Sequence, residues 1–181
     1  TGSRIKVQEA IRGWAEVLDI LPEDKKHILV SSTPMSETGE SLATVFKLNV
    51  YSGRTKRKIA TSPIPFAKFA TDQDGNLRAV SGTDLNNNKQ LYIKTNKGWD
   101  KVPSEKLGDA VELLSVSSSG KYLYTLDNYK QSLTGLFRLS LDTLEYKEVY
   151  TDKNVDISHV EMTTDGHTAF AMRVDEGYPA Y

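Results

Sequence analysis

Polar tight turns, each set between short runs of alternating apolar and polar residues, return along this chain at nearly constant intervals. Asp74-Gly75, Ser119-Gly120 and Asp165-Gly166 share that setting, and their glycines lie 45 and 46 residues apart. A poorer copy, Pro22-Glu23-Asp24-Lys25, places Lys25 50 residues ahead of Gly75. Alternation with period two predicts strands with one buried face, and glycine after Asp or Ser predicts the hairpins that join them. Read this way, the first unit has strands at 14–20, 27–32, 43–50 and 54–61. The second has 65–71, 77–81, 89–95 and 99–102, and the third 110–116, 122–126, 134–141 and 146–150. A fourth opens with 155–162 and 167–174.

The register between units is closer than the spacing alone requires. Nine residues before each turn glycine stand Phe66, Val111 and Ile157; six before stand Phe69, Leu114 and Val160. In the third strands Phe46, Leu91 and Phe137 align, as do Leu48, Ile93 and Leu139. The turn leading to the fourth strand recurs as Ser52-Gly53, Lys97-Gly98 and Thr143-Leu144. Glycine supplies the positive φ of a tight hairpin, so Leu144 predicts a different turn in the third unit.

Repeats of about 40–50 residues built from short strands are the signature of a β-propeller, in which each sheet buries its faces against the next. The fold class expected is therefore all-β: a partial β-propeller of about three and a half four-stranded antiparallel blades. Blade-like units fall at 14–61, 65–102, 110–150 and an incomplete 155–181. The rival reading is a two-sheet sandwich with coincidental spacing. Residues 32–41 form a polar insertion with Pro and Gly, read as a mobile surface loop. Residues 8–12 suggest one short turn of helix, and nothing else in the chain supports one.

Composition narrows the partners more than it names them. With 23 basic and 24 acidic residues the net charge is −1, so no electrostatic footprint for nucleic acid or an anionic membrane arises. The longest apolar runs are only strand length, so no segment is expected to span a bilayer. No cysteine occurs, which excludes disulfides and thiolate metal sites and leaves the compartment open. Thr1-Gly2-Ser3-Arg4 at the start and Tyr178-Pro179-Ala180-Tyr181 at the end read as cut from something longer.

Candidate chemistry mostly reduces to turn chemistry. A nucleophile elbow of the form G-x-S-x-G is absent from the sequence, as is a phosphate-binding G-x-x-x-x-G-K. His27, His159 and His167 sit beside or within strands, where packing roles are commoner than catalysis. Asp72-Gln73-Asp74-Gly75-Asn76 begins like a calcium loop, but its glycine comes fourth and a strand follows at once, so hairpin capping is the reading. No cofactor is expected. The basic run Arg54-Thr55-Lys56-Arg57-Lys58 is assigned to an outermost strand, where lysines guard an exposed edge. Asn86-Asn87-Asn88 reads as a loop tip.

Several ordered segments carry a family resemblance. IRGWAEVLDILPEDKKHILVSS, FKLNVYSGRTKRKI, KFATDQDGNLRAVSG and VDISHVEMTTDGHTAFAMRVDEGYPAY resemble the N-terminal β-propeller of bacterial prolyl oligopeptidase-family serine peptidases. The resemblance runs from about Ile11 to the end of the chain. It implies a propeller that caps an α/β-hydrolase domain of the same parent chain, a domain carrying a Ser-Asp-His triad and cleaving short peptides. This chain would then be non-catalytic and would gate substrate entry, in a bacterial parent of periplasmic or cytoplasmic location. The alternative is a stand-alone propeller used as a protein-binding scaffold. In the parent, the innermost strands would line a central tunnel, with Glu16, Lys68, Glu112 and His159 as possible tunnel-lining residues. A cut array leaves blade faces uncovered, so self-association of the fragment is a further expectation.

Overall fold

The computed structural model describes residues 12–175 together with 179–180. Its strands are β1 (Gly13–Asp19), β2 (His27–Pro34), β3 (Thr44–Asn49) and β4 (Thr55–Thr61), then β5 (Lys68–Thr71), β6 (Leu77–Thr83), β7 (Lys89–Thr95) and β8 (Gly98–Lys101). There follow β9 (Glu112–Val116), β10 (Tyr122–Asp127), β11 (Gly135–Ser140) and β12 (Tyr146–Tyr150), and finally β13 (Ile157–Met162), β14 (Ala169–Asp175) and β15 (Pro179–Ala180). They make four separate antiparallel sheets, ordered β1-β2-β3-β4, β5-β6-β7-β8, β9-β10-β11-β12 and β13-β14-β15. Every sheet is a plain meander in chain order, which is how a propeller blade is built. The chain is thus an all-β arc of a propeller, and four sheets with no shared strands exclude the two-sheet sandwich. Among the described residues no helix is long and apolar enough to cross a membrane. Among the described residues the helical structure is a single 3-10 turn at Ser104–Lys106.

The core lies between blades, where buried side chains of each sheet meet those of the next. Leu21, Leu29, Val45 and Ala60 of the first blade pack on Leu77 of the second, with Phe69 and Trp99 beside them. Ala70, Ala79, Leu91, Ile93 and Val102 meet Val111, Leu113, Val116, Leu123 and Leu139 between the second and third blades. Leu126 and Leu136 meet Ile157 and Val160 between the third and fourth. Burying one such side chain contributes about 1.5–3 kcal/mol, so these seams hold the array together. Polar staples set the seams in register. Trp99 Nε1–H donates to the Thr61 carbonyl at 2.8 Å, Thr71 Oγ1 to Asp19 at 2.9 Å, and the Ile157 amide to the Thr134 carbonyl at 2.9 Å.

The recurring turn is a real structural repeat. The amides of Gly75, Gly120 and Gly166 each donate to the carbonyl three residues back, on Asp72, Ser117 and Thr163, at 2.9, 2.8 and 2.7 Å. The poorer copy closes the same way, Asp24 N–H to Leu21 O at 2.8 Å. Gly75 has φ +74, and a Cβ there would overlap Leu21 Cδ2 of the preceding blade's turn. Positive φ and close approach both demand glycine.

Several sequence-based expectations need correction. Phe66 aligns with Val111 and Ile157 but is 67% exposed with φ +51, outside any strand; its segment turns in from Pro65, so β5 starts only at Lys68. Leu144 does not force a different turn. Its φ is +55 and its amide bonds Ser140 O at 3.0 Å, the same i+4 closure that Gly53 makes with Asn49 at 2.9 Å. Packing of Leu144 against the core between the second and third blades offsets the strain, about 1–2 kcal/mol for an L-residue. Part of the supposed insertion, residues 32–34, continues β2 and pairs with β1. The fourth sheet gains a short third strand, β15, bonded to β14. The helical turn suggested at 8–12 lies outside the described residues, except for Arg12.

Candidate functional site

All four inner strands, β1, β5, β9 and β13, begin their sheets, and each ends at one of the repeated turns. Their ends therefore converge at one end of the arc. There a cleft of about 630 Å³ opens between Val17, Leu18 and Ile20 of the first blade, Phe69 of the second, Leu114 of the third and the 164–167 turn of the fourth. A mixed wall of this size is what small-ligand sites present.

Its polar groups are placed by local bonding. Asp19 Oδ1 accepts from the Leu21 amide at 2.7 Å, which caps the turn, and Oδ2 accepts from Thr71 at 2.9 Å, which ties blade to blade. Asp165 Oδ1 accepts from Thr163 Oγ1 at 2.5 Å and from the His167 amide at 3.1 Å. Those two bonds, Thr163 first, hold its carboxyl below the usual carboxylate range. The His167 ring, 9% exposed, bonds through Nδ1 to the Val116 carbonyl of the third blade at 2.8 Å. The Ser118 amide returns a bond to His167 O at 3.0 Å. His167 thus fastens the fourth blade to the third and forms part of the cleft wall.

The four residues expected to line a tunnel separate into one pair and two others. Lys68 Nζ and Glu112 Oε1 meet at 3.0 Å between β5 and β9, both about half exposed. Glu16 is exposed on β1 and lines a second groove, of about 370 Å³, at the opposite end of the inner strands, beside Trp14 and Phe66. His159 is exposed on β13 and approaches Glu161 at 3.7 Å. Of the basic run, residues 55–58 lie on β4, an edge strand of its sheet, and Arg54 comes just before it.

The remaining histidine is structural. His27 is 7% exposed, and its Nδ1 contacts both Asp24 oxygens at 2.8 and 3.0 Å. That bond, helped by the Lys26 amide, holds the Asp24 carboxyl at about 2. Among the described residues no hydroxyl group is hydrogen-bonded to any of the three histidines. Asp72 spends its carboxylate on the Asp74 and Asn76 amides, at 3.1 and 3.0 Å, and on Arg78 at 3.1 Å. Asp84 caps the loop tip in the same way, through the Asn86 and Asn88 amides at 2.9 Å each. Both are hairpin caps. Among the described residues no three His, Asp or Glu side chains gather into a metal-holding group.

Sequence reasoning passed over the convergent cleft. Its members stand at the ends of different inner strands and are brought together only by blade packing. The available signal was positional: Asp19, Thr71 and Ser115 each precede a repeated turn, and His167 directly follows one.

No family model and no curated protein matches the chain. Among solved structures it is similar to TolB from Acinetobacter baumannii, with TM-score 0.57 and 13% identity, over 90% of this chain and 40% of that one. It is also similar to the β-propeller domain of the Trilobed protease from Pyrococcus furiosus, described as having an open velcro topology. There the TM-score is 0.50 and the identity 9%, over 80% of this chain and 45% of the other. The chain spans less than half the length of either structure. At such identities the likeness shows the β-propeller fold.

Proposed function

We propose that the chain is a non-catalytic propeller unit of a serine peptidase, gating the access of short peptides to a separate α/β-hydrolase domain. The observation that carries this reading is the convergence of four blades on one axial end, where a mixed apolar and acidic cleft is large enough for a short peptide. Two further supports are the ordered sequence resemblance to prolyl oligopeptidase-family propellers and the structural likeness to a propeller domain of a protease. In this reading the blades form a rigid collar. The seams between blades keep its bore fixed, and the Lys68–Glu112 pair with Glu16 and His159 supplies polar groups along the inner strands.

A second reading, a propeller used as a protein-binding scaffold, is favoured by the two exposed aromatics at the opposite end. Trp14 and Phe66 are 64% and 67% exposed beside Glu16, and aromatic side chains of this kind are enriched at interfaces. The natural gene separates the two. The peptidase reading requires a downstream G-x-S-x-G element followed by Asp and His, and labelling of that serine by a fluorophosphonate probe. A reading frame that stops within another blade or two overturns it.

A further inference from the structure

His167 holds one ring nitrogen in a fixed role and leaves the other without a partner. A carbonyl oxygen only accepts, so the Nδ1 that bonds Val116 O at 2.8 Å must carry the proton. In the neutral ring Nε2 is then an acceptor. It has no hydrogen-bond partner in the structure, yet it is not sealed from solvent as His27 Nε2 is. The residue is nine-tenths buried, and it lines the 630 Å³ cleft.

The other polar groups have the same character. Asp19 uses one lone pair on each oxygen, and Asp165 has one oxygen with no bond at all. Among the described residues no lysine or arginine lines the cleft, while Phe69, Leu18, Ile20 and Leu114 make its apolar wall. Such a site offers acceptors and negative charge on the first-blade and fourth-blade walls of an apolar slot. It suits a positively charged donor group carried on an aliphatic stem.

We propose that this cleft binds a short peptide through a lysine or arginine side chain, the cationic head on Asp19, Asp165 and His167 Nε2 and the stem along Phe69 and Leu114. A peptide fits better than a free amine because the space far exceeds one side chain and runs across the ends of three inner strands. The second ring nitrogen of His167, an acceptor in the neutral tautomer, is open to a donor group. The charged groups facing it are Asp165 on its own turn and Asp19 across the cleft; the third-blade segment it packs on contributes only the Val116 carbonyl and the Ser118 amide. The inference rests on the cleft alone and stands whether or not a hydrolase domain accompanies the chain.

The test uses the whole chain and three probes, acetyl-leucyl-arginine amide and its citrulline and glutamate counterparts, followed by amide NMR and calorimetry. The arginine probe should bind about tenfold more tightly than citrulline, with shifts concentrated at Thr71, Ser115 and His167, and the glutamate probe more weakly still. Asp19→Asn and Asp165→Asn should each weaken the arginine probe by about three- to tenfold. Equal affinity for all three probes overturns the proposal, as does no arginine binding up to about 10 mM or shifts confined to other surfaces. If a variant loses its folded spectrum, the probe comparison on the parent chain decides alone.

Discussion

Replacing Tyr146 with phenylalanine tests whether a single hydroxyl locks the third blade. Asp127 is fully buried, and its carboxylate accepts from the Gly108 amide at 2.8 Å, the Asn128 amide at 2.8 Å and Tyr146 Oη at 2.9 Å. The same phenol oxygen lies 2.6 Å from Thr125 Oγ1, also fully buried. With its proton committed to Asp127, the phenol accepts from Thr125. Tyr146→Phe keeps the ring stacked on Phe137 at 5.1 Å but deletes one charge-assisted bond and strands the Thr125 hydroxyl. Bonds to charged groups are worth about 1.5–3 kcal/mol, so a net loss of about 2–3 kcal/mol is expected. With a urea m-value of about 2 kcal/mol/M, the midpoint falls by about 1 M. Burial and the neighbouring carboxylate push the Tyr146 phenol well above its ordinary range. The stability tied to the neutral phenol is therefore complete below the unfolded-state value of about 10 and lost as pH rises beyond it; the variant should lack that alkaline limb. A double-mutant cycle with Thr125→Val should show coupling of at least about 0.5 kcal/mol. A midpoint shift below about 0.2 M would refute the locking role.

The remaining predictions concern the turns and exposed pairs. Gly75→Ala should destabilise by about 2 kcal/mol or more, since it adds left-handed strain and displaces Leu21; Gly53→Ala, at φ +63 with open space around it, should show only the strain of about 1–2 kcal/mol. Comparing their urea midpoints isolates the steric part. The Asp24 carboxyl is held at about 2, below its ordinary 3.8, so its contribution is present above 3.8 and lost as pH falls towards 2. Asp24→Asn should flatten that acid limb in pH-dependent unfolding curves. Lys68→Met should change stability by no more than about 1 kcal/mol, because the pair with Glu112 is half exposed, and the effect should shrink in salt.

What the sequence revealed and what it hid divide along a physical line. The hairpins at Gly75, Gly120 and Gly166 were legible because their chemistry is local: a polar cap, a positive φ and flanking alternation within a few residues. The blade seams were legible as aligned positions such as Leu91 with Phe137 and Ile93 with Leu139. Leu144 and Phe66 were not, since both adopt positive φ against their own preference and only surrounding structure decides that. Of the polar inner-strand residues, alternation identified Lys68 and Glu112 but not their pairing, which depends on two blades lying side by side. The cleft was least legible of all. Asp19, Thr71 and His167 are separated by whole blades, and His167 reads in sequence as one more residue after a turn.

The gating role is tested most directly by the size of substrate the full-length natural protein accepts. Cleavage of a short peptide should be compared with cleavage of the same sequence inside a folded protein, before and after excision of the propeller. If the propeller gates entry, the intact protein cleaves only the short peptide, and excision admits the larger substrate to an active hydrolase. An unchanged size profile after excision, with the hydrolase still active, would contradict it.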